Sequence, residues 1–313
     1  MSARAKASSQ TIAVAALLAL SCGPSRDGYA ILHEDHCCDA GSRDANRPHD
    51  TGVHVDSGPP DVPPEPLEDW DTTGAGPLTG IFALEVVVLA NVVVDIETRQ
   101  LYRVRILQNG TNVRARIQAC VIDLTTINGV ASLTFAPAAE QAIRTHILDF
   151  QGDYLSDASP IGAVFSPPRA TVVIGATLAM PETDPLPTMM EPALAVDEDM
   201  DGNPGVTIDA TAVVCSGPQQ AYAAFRASVL LSGTVTDLDV FEGSAEPGVD
   251  QQVLGYSDPC LSIATSLQVM VRPGSTFHAH RVGDAEDLDH NGNVSCPEVG
   301  WAGARLFGDY WLR

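Results

Sequence analysis

From Gly80 onward, branched apolar residues alternate with polar ones in short runs cut off by Gly, Pro, Asn and Asp, and this period of two restricts the fold more than any other feature. It sends one side of an extended chain into a core and the other into water, and a helix cannot use it. The sharpest instance surrounds Gln108-Asn109-Gly110-Thr111, whose Asn-Gly pair suits a tight primed turn with positive φ at both central residues. With Gln108 opposite Thr111, Ile106 faces Val113, Val104 faces Ala115 and Tyr102 faces Ile117, so one hairpin face is apolar throughout. The other face sets Arg105 against Arg114 and Arg103 against Arg116. These four cations are a candidate anion or carboxylate face, or else a surface answered by the acid excess.

Further strands are expected over 171–178, 206–215, 222–235, 252–255, 261–271 and 305–312. A short helix is expected over 137–150, with Ala139, Ile143, Ile147 and Phe150 on one face and Pro137 in its first turn. Eight or more short strands imply an all-β domain, an antiparallel barrel or a sandwich with one short helix, spanning 79–313. The opening Gly80-Ile81-Phe82 resembles the Gly-x-Trp start of lipocalin-type barrels, with Phe in place of Trp. That resemblance implies a barrel and carries no function by itself.

The first quarter reads differently. Residues 1–21 have a signal peptide's layout: Arg4 and Lys6, an apolar run from Ile12 to Leu20, then Ser21. The run is too short to span a membrane. Ala19-Leu20-Ser21-Cys22 resembles the bacterial lipobox, departing from it in having Ala19 where that pattern prefers Leu. The resemblance implies acylation of Cys22 as the first mature residue, and Gly23 in place of Asp implies delivery to the outer membrane, on its periplasmic or cell-surface face. Residues 22–78, with stretches such as Ser57-Gly58-Pro59-Pro60-Asp61, have a disordered tether's composition. A flexible coil of roughly 55 residues spans about 40 Å. The cluster His33-Glu34-Asp35-His36-Cys37-Cys38-Asp39 matches no closed zinc spacing.

Charge and composition exclude several classes. With 17 basic and 40 acidic residues the formal charge is −23, which argues against a nucleic-acid partner. Lys6 is the only lysine and lies in the leader, so Schiff bases, Ser-Lys dyads and phosphate-loop lysines are excluded from the mature chain. Apart from Cys22 there are six cysteines, an even number that suits an oxidising compartment. Spacing does not assign their partners. Proximity of the expected strands suggests Cys120 with Cys215 and Cys260 with Cys296, leaving Cys37 and Cys38 apart.

Two acidic loops carry chemistry. In Asp287-Leu288-Asp289-His290-Asn291-Gly292-Asn293-Val294-Ser295-Cys296-Pro297-Glu298, oxygen ligands fall at positions 1, 3 and 5 (Asp287, Asp289, Asn291). Gly292 allows the turn at 6, Asn293 offers its carbonyl at 7, Glu298 can bind through both oxygens at 12, and Val294 at 8 points to the core. The order resembles an EF-hand loop and implies calcium as the cofactor. The extended look of 278–282 leaves no room for an entering helix. Asp197, Asp199 and Asp201 repeat positions 1, 3 and 5 with Gly202 at 6, but Ile208 stands at 12, and only Asp209 one place later offers a carboxylate.

The D-x-D-x-D-G-x-P-G-V-T wording of this second loop, with Thr183-Asp184-Pro185-Leu186-Pro187 before it and Gln252-Val253-Leu254-Gly255 after, resembles uncharacterised exported lipoproteins of Gram-negative soil bacteria. It implies an exported β-rich domain and brings no catalytic residues. His278 and His280 share one face of an expected strand and can meet a metal with Asp284 or His290. No Gly-x-Ser-x-Gly elbow, His-Glu-x-x-His helix or dinucleotide fingerprint occurs.

The leading expectation is therefore an envelope lipoprotein with a calcium-braced β-rich domain in a non-catalytic binding or structural role. Its partners are the membrane, through the lipid anchor, and an unidentified protein or small molecule. The alternatives are a lipocalin-like carrier of a small apolar ligand, held on the face of Tyr102, Val104 and Ile117, and a metal-dependent hydrolase built on His278 and His280.

Overall fold

The computed structural model describes Trp70 and residues 72–311, apart from 92–93, 125, 128–130, 214, 265–268 and 309–310. The expected leader, Cys22 and the cluster at 33–39 lie outside the described residues.

In chain order the strands are β1 (Gly80–Asn91), β2 (Asp95–Asn109), β3 (Asn112–Ile122), β4 (Thr126–Ile127), β5 (Ala131–Phe135), β6 (Ile147–Asp153), β7 (Val164–Phe165), β8 (Ala170–Ile174), β9 (Val206–Ala212), β10 (Gln219–Asp237), β11 (Val240–Tyr256), β12 (Met270–Val271) and β13 (Thr276–Val282). Helices are α1 (Pro137–Arg144), the single turn α2 (Leu261–Ala264) and α3 (Cys296–Phe307). The strands form one sheet in the order β4-β5-β9-β10-β11-β13-β1-β2-β3-β6, with β12 beside β1 and β7 and β8 beside β10. Every pairing is antiparallel. The fold is all-β, and the sheet is folded on itself rather than closed: β4 and β6 are its two ends, which corrects the closed-barrel alternative.

The inner face of the hairpin β2–β3 supplies the main core. Val104, Ile106, Val113 and Ala115 pack with Phe82, Leu84 and Val86 of β1 and with Phe241 and Phe277 from β11 and β13. Phe241 meets Phe82, Phe165 and Phe277 edge to face, at centroid distances of 5.1, 5.4 and 6.2 Å. A second cluster, Phe135, Ala139, Ile143, Ile174, Val206, Ile208, Ala223 and Phe225, gathers α1 against β5, β9 and β10. On the sheet's outer face, Val294 and Val299 of α3 and the preceding loop cover Ala83, Leu101, Cys120 and Val282.

The hairpin register differs from the expected one by two residues. Asn109 faces Asn112, so Ile106 meets Ala115, Val104 meets Ile117, Arg105 meets Arg116, Leu107 meets Arg114 and Arg103 meets Gln118. The turn consists of Gly110 and Thr111, and only Gly110 has positive φ, 65°. Placing glycine first in the turn gives the II′ pattern, and because the slip is even the apolar face stays inward.

Five further expectations are corrected. The helix at 137 ends at Arg144, because Ile147 to Phe150 follow a period of two and join β6 beside β3. The strand at 252–255 is the end of the much longer β11. Residues 261–271 hold α2 and β12 instead of one strand, and 305–307 end α3, so the domain has more than one helix. The disulfides are Cys120–Cys296 and Cys215–Cys260. Cys120 lies on the outer face of β3, where α3 begins at Cys296, while Cys215 follows β9 and meets Cys260 just before α2.

Candidate functional site

The two acidic loops take the same backbone path. Among the described residues the only non-glycine residues with positive φ are Met200, 57°, and His290, 56°, each at position 4 of its loop. At position 6, Gly202 and Gly292 have φ of 90° and 82°. Hydrogen bonds correspond as well. Asp197 Oδ1 and Asp287 Oδ1 each accept from the amide of position 5 at 3.1 Å, and their Oδ2 atoms accept from the glycine amide at 2.9 and 2.7 Å. The amides of Asn203 and Asn293 donate back to position 5, each at 2.8 Å. Two left-handed residues separated by one other curl each loop around a centre where carboxylate oxygens gather.

In the loop 287–298, one carboxylate oxygen from each of Asp287, Asp289 and Glu298 lies within 4.8 Å of the others. Asp287 and Glu298 are only 6% exposed. Glu298 also forms the capping box of α3: Ser295 donates to it from its amide at 2.7 Å and from its hydroxyl at 2.8 Å, and the Leu288 amide donates at 2.6 Å. Burial raises the Glu298 carboxyl, but these donors outweigh it and hold the group below the usual carboxylate range. Asp287 is lowered in the same way, burial being overcome by the amides of Gly292 and Asn291. Position 8, Val294, is buried as expected. The strand β13 precedes the loop and the helix α3 follows it.

In the loop beginning at Asp197, carboxylate oxygens of Asp197, Asp199 and Asp201 likewise gather within 4.8 Å. Asp199 Oδ2 accepts from the Thr207 amide at 2.8 Å, while its buried Oδ1 has no hydrogen-bond partner. Ile208, at position 12, is buried in the core, and Asp209 accepts from Gln220 on β10 and does not join the cluster. Glu198 faces away to His146 and the Gly175 amide, which fix the loop to the sheet. Gly205 closes the loop at φ 92°, where a Cβ would stand 2.4 Å from the Ala223 carbonyl oxygen.

The four arginines divide. Arg103, 7% exposed, donates to the Val294 carbonyl at 2.6 Å and also contacts Asn293 Oδ1. Arg114 and Arg116 converge on Asp149 of β6 at 2.7 and 2.9 Å, so an acid sits between the like charges. Trp70 lies over Arg105, Arg114 and Arg116, with guanidinium carbons 4.9, 4.7 and 5.7 Å from its ring. Trp70 and Leu78 are both buried.

His278 contacts Glu242 at 3.3 Å, and His280 meets Phe307 edge to face at 5.3 Å. Burial, then the neighbouring His278, lowers the His280 imidazole. Among the described residues neither histidine joins a group of three metal-ligating side chains, and neither Asp284 nor His290 approaches them in one.

An open cavity of about 210 Å³ lies between the two halves of the folded sheet, bounded in part by the face that the carrier alternative named. Tyr102 and Ile117 line it, whereas Val104 belongs to the packed core. The space exists because inward positions on facing strands are small: Ala90, Ala119, Ala131, Ala210, Ala221 and Ala227. Small residues at positions such as Ala210 and Ala221 are its local trace in the sequence. No family model, curated protein or solved structure matches the chain.

Proposed function

We propose that this chain is an exported lipoprotein, anchored in the outer membrane through acylated Cys22, whose β-domain is braced by calcium and serves binding or envelope structure rather than catalysis. The observation that carries the calcium reading is the shared path of the two loops, with three oxygens converging in each and the partnerless, buried Asp199 Oδ1 in one of them. A divalent cation supplies what a buried carboxylate oxygen without a donor lacks. Asp287, Asp289, Asn291 and Glu298 with the Asn293 carbonyl would hold one ion, and Asp197, Asp199 and Asp201 a second.

The leader supports export and anchoring, while the acidic balance and the absence of lysine from the mature chain support a partner other than nucleic acid. Calcium would act here as a structural ion, drawing strand β13, the loop and helix α3 together. Thermal melting of the full chain in calcium and in chelator tests this. Binding at saturating calcium raises the melting temperature by about 5–10 °C. Identical melting in both conditions overturns the calcium reading.

A further inference from the structure

We infer that the interior cavity binds a neutral amphiphile, a small molecule with an apolar body and a single uncharged hydrogen-bonding end. The cavity walls are mostly apolar, and apolar cavities of roughly 150 Å³ stay dry and take up apolar ligands. At about 210 Å³ this one is larger and partly open. An unfilled space of this kind costs stability that an apolar occupant restores.

Besides Asp123, His146 and Gln251, the polar lining is one row on β2. Thr98, Gln100 and Tyr102 alternate along β2 and line the same side. The Tyr102 hydroxyl donates to Gln100 Oε1, and burial pushes the phenol up, so it remains neutral. With its oxygen so engaged, the Gln100 amide presents its N–H groups, donors suited to a hydroxyl, ester or carbonyl oxygen. No arginine lines the cavity among the described residues; its two ionisable groups besides Tyr102 are Asp123 and His146, and His146 is held by Glu198. A free carboxylate entering here would lose water and meet Asp123 without a cation to receive it. The ligand is therefore uncharged.

The full chain bearing Cys22→Ser, kept in calcium, can be titrated with the neutral fluorophore N-phenyl-1-naphthylamine and then with 1-decanol or decanoate as competitor. One saturable site is expected, with decanol displacing the probe at least about tenfold better than decanoate. Ala210→Leu, which fills the cavity, should melt no lower than the parent and abolish probe binding. Gln100→Leu, close in shape, should weaken decanol about three- to tenfold and spare the probe.

Absence of saturable binding, equal competition by decanoate, or full binding by a folded Ala210→Leu protein overturns the inference. If Ala210→Leu does not fold, decanol affinity unchanged in Gln100→Leu overturns it instead. Because calcium is present throughout, failure here leaves the calcium reading standing, and chelator-insensitive melting leaves this inference standing.

Discussion

Arg103 Nε donates 2.6 Å to the main-chain carbonyl of Val294, joining the central hairpin to the acidic loop 287–298 across the outer face of the sheet. The guanidinium also contacts the side chain of Asn293, whose own carbonyl is a candidate calcium ligand. A residue that looked like one rung of a cationic face is a strut beneath the loop.

Replacing Arg103 by Met should therefore cost about 3 kcal/mol, since it removes hydrogen bonds from a buried charged donor and leaves the Val294 carbonyl unanswered. Arg103→Lys should rescue little of this, because one ammonium cannot reproduce the guanidinium fork. Urea denaturation in calcium measures the loss, and stabilities of both variants within about 0.5 kcal/mol of the parent would show that the strut is idle.

Peptide mapping without reduction should recover Cys120 joined to Cys296 and Cys215 joined to Cys260. The first bridge closes a separation of 176 residues and the second one of 45. In the chain-entropy view the longer loop gains about 1 kcal/mol more. The double replacement Cys120→Ala, Cys296→Ala should consequently lower stability by about 2–5 kcal/mol and release α3 first, read as faster amide exchange over 296–307.

Asp149 makes acid sensitivity local. The hydrogen bond from Arg114 holds its carboxyl below the usual carboxylate range; partial burial opposes the shift, and Arg116 adds to it. A folded-state pKa below the unfolded one means stability that is present above the unfolded value and lost as pH falls through the folded one. Asp149→Asn should accordingly flatten the stability curve below about pH 4. It should also remove the acid that Arg114 and Arg116 share, lowering the melting temperature at neutral pH. An acid limb as steep in the variant as in the parent contradicts this assignment.

Cys22→Ser should shift the protein from the membrane fraction to the soluble fraction of the envelope and abolish labelling by radioactive palmitate. Retention of label in that variant would place the acylation elsewhere.

What could be read from the sequence follows from the range of the forces involved. The inward face of 102–117 was legible because alternation and an Asn-Gly pair are local, and an error of two residues in register cannot turn a strand over. Helix α3 was hidden by economy: Ser295 and Glu298 form a capping box with the same residues that complete the calcium-loop pattern. Most of β11 was hidden by Gly243, Pro247 and Gly248, which mimic a turn. Gly243 is there because a side chain would strike Ser232 on β10, and Pro247 lies beyond the stretch paired with β13, where a missing N–H costs nothing on that side. The disulfide pairing depends on which distant strands face each other, and no local pattern encodes that; the cavity left only its small inward residues as a local trace. Ligand spacing in the two acidic loops was visible residue by residue, whereas their common backbone path, with Met200 and His290 both left-handed, emerges only in three dimensions.

Calorimetric titration of the chelator-treated full chain with calcium tests the central claim most directly. The account predicts two calcium ions per chain, with one lost in the pair Asp287→Asn, Glu298→Gln and the other in Asp199→Asn. A titration without binding heat at either loop, matched by melting that chelator does not change, would contradict it and reduce both loops to polar turns.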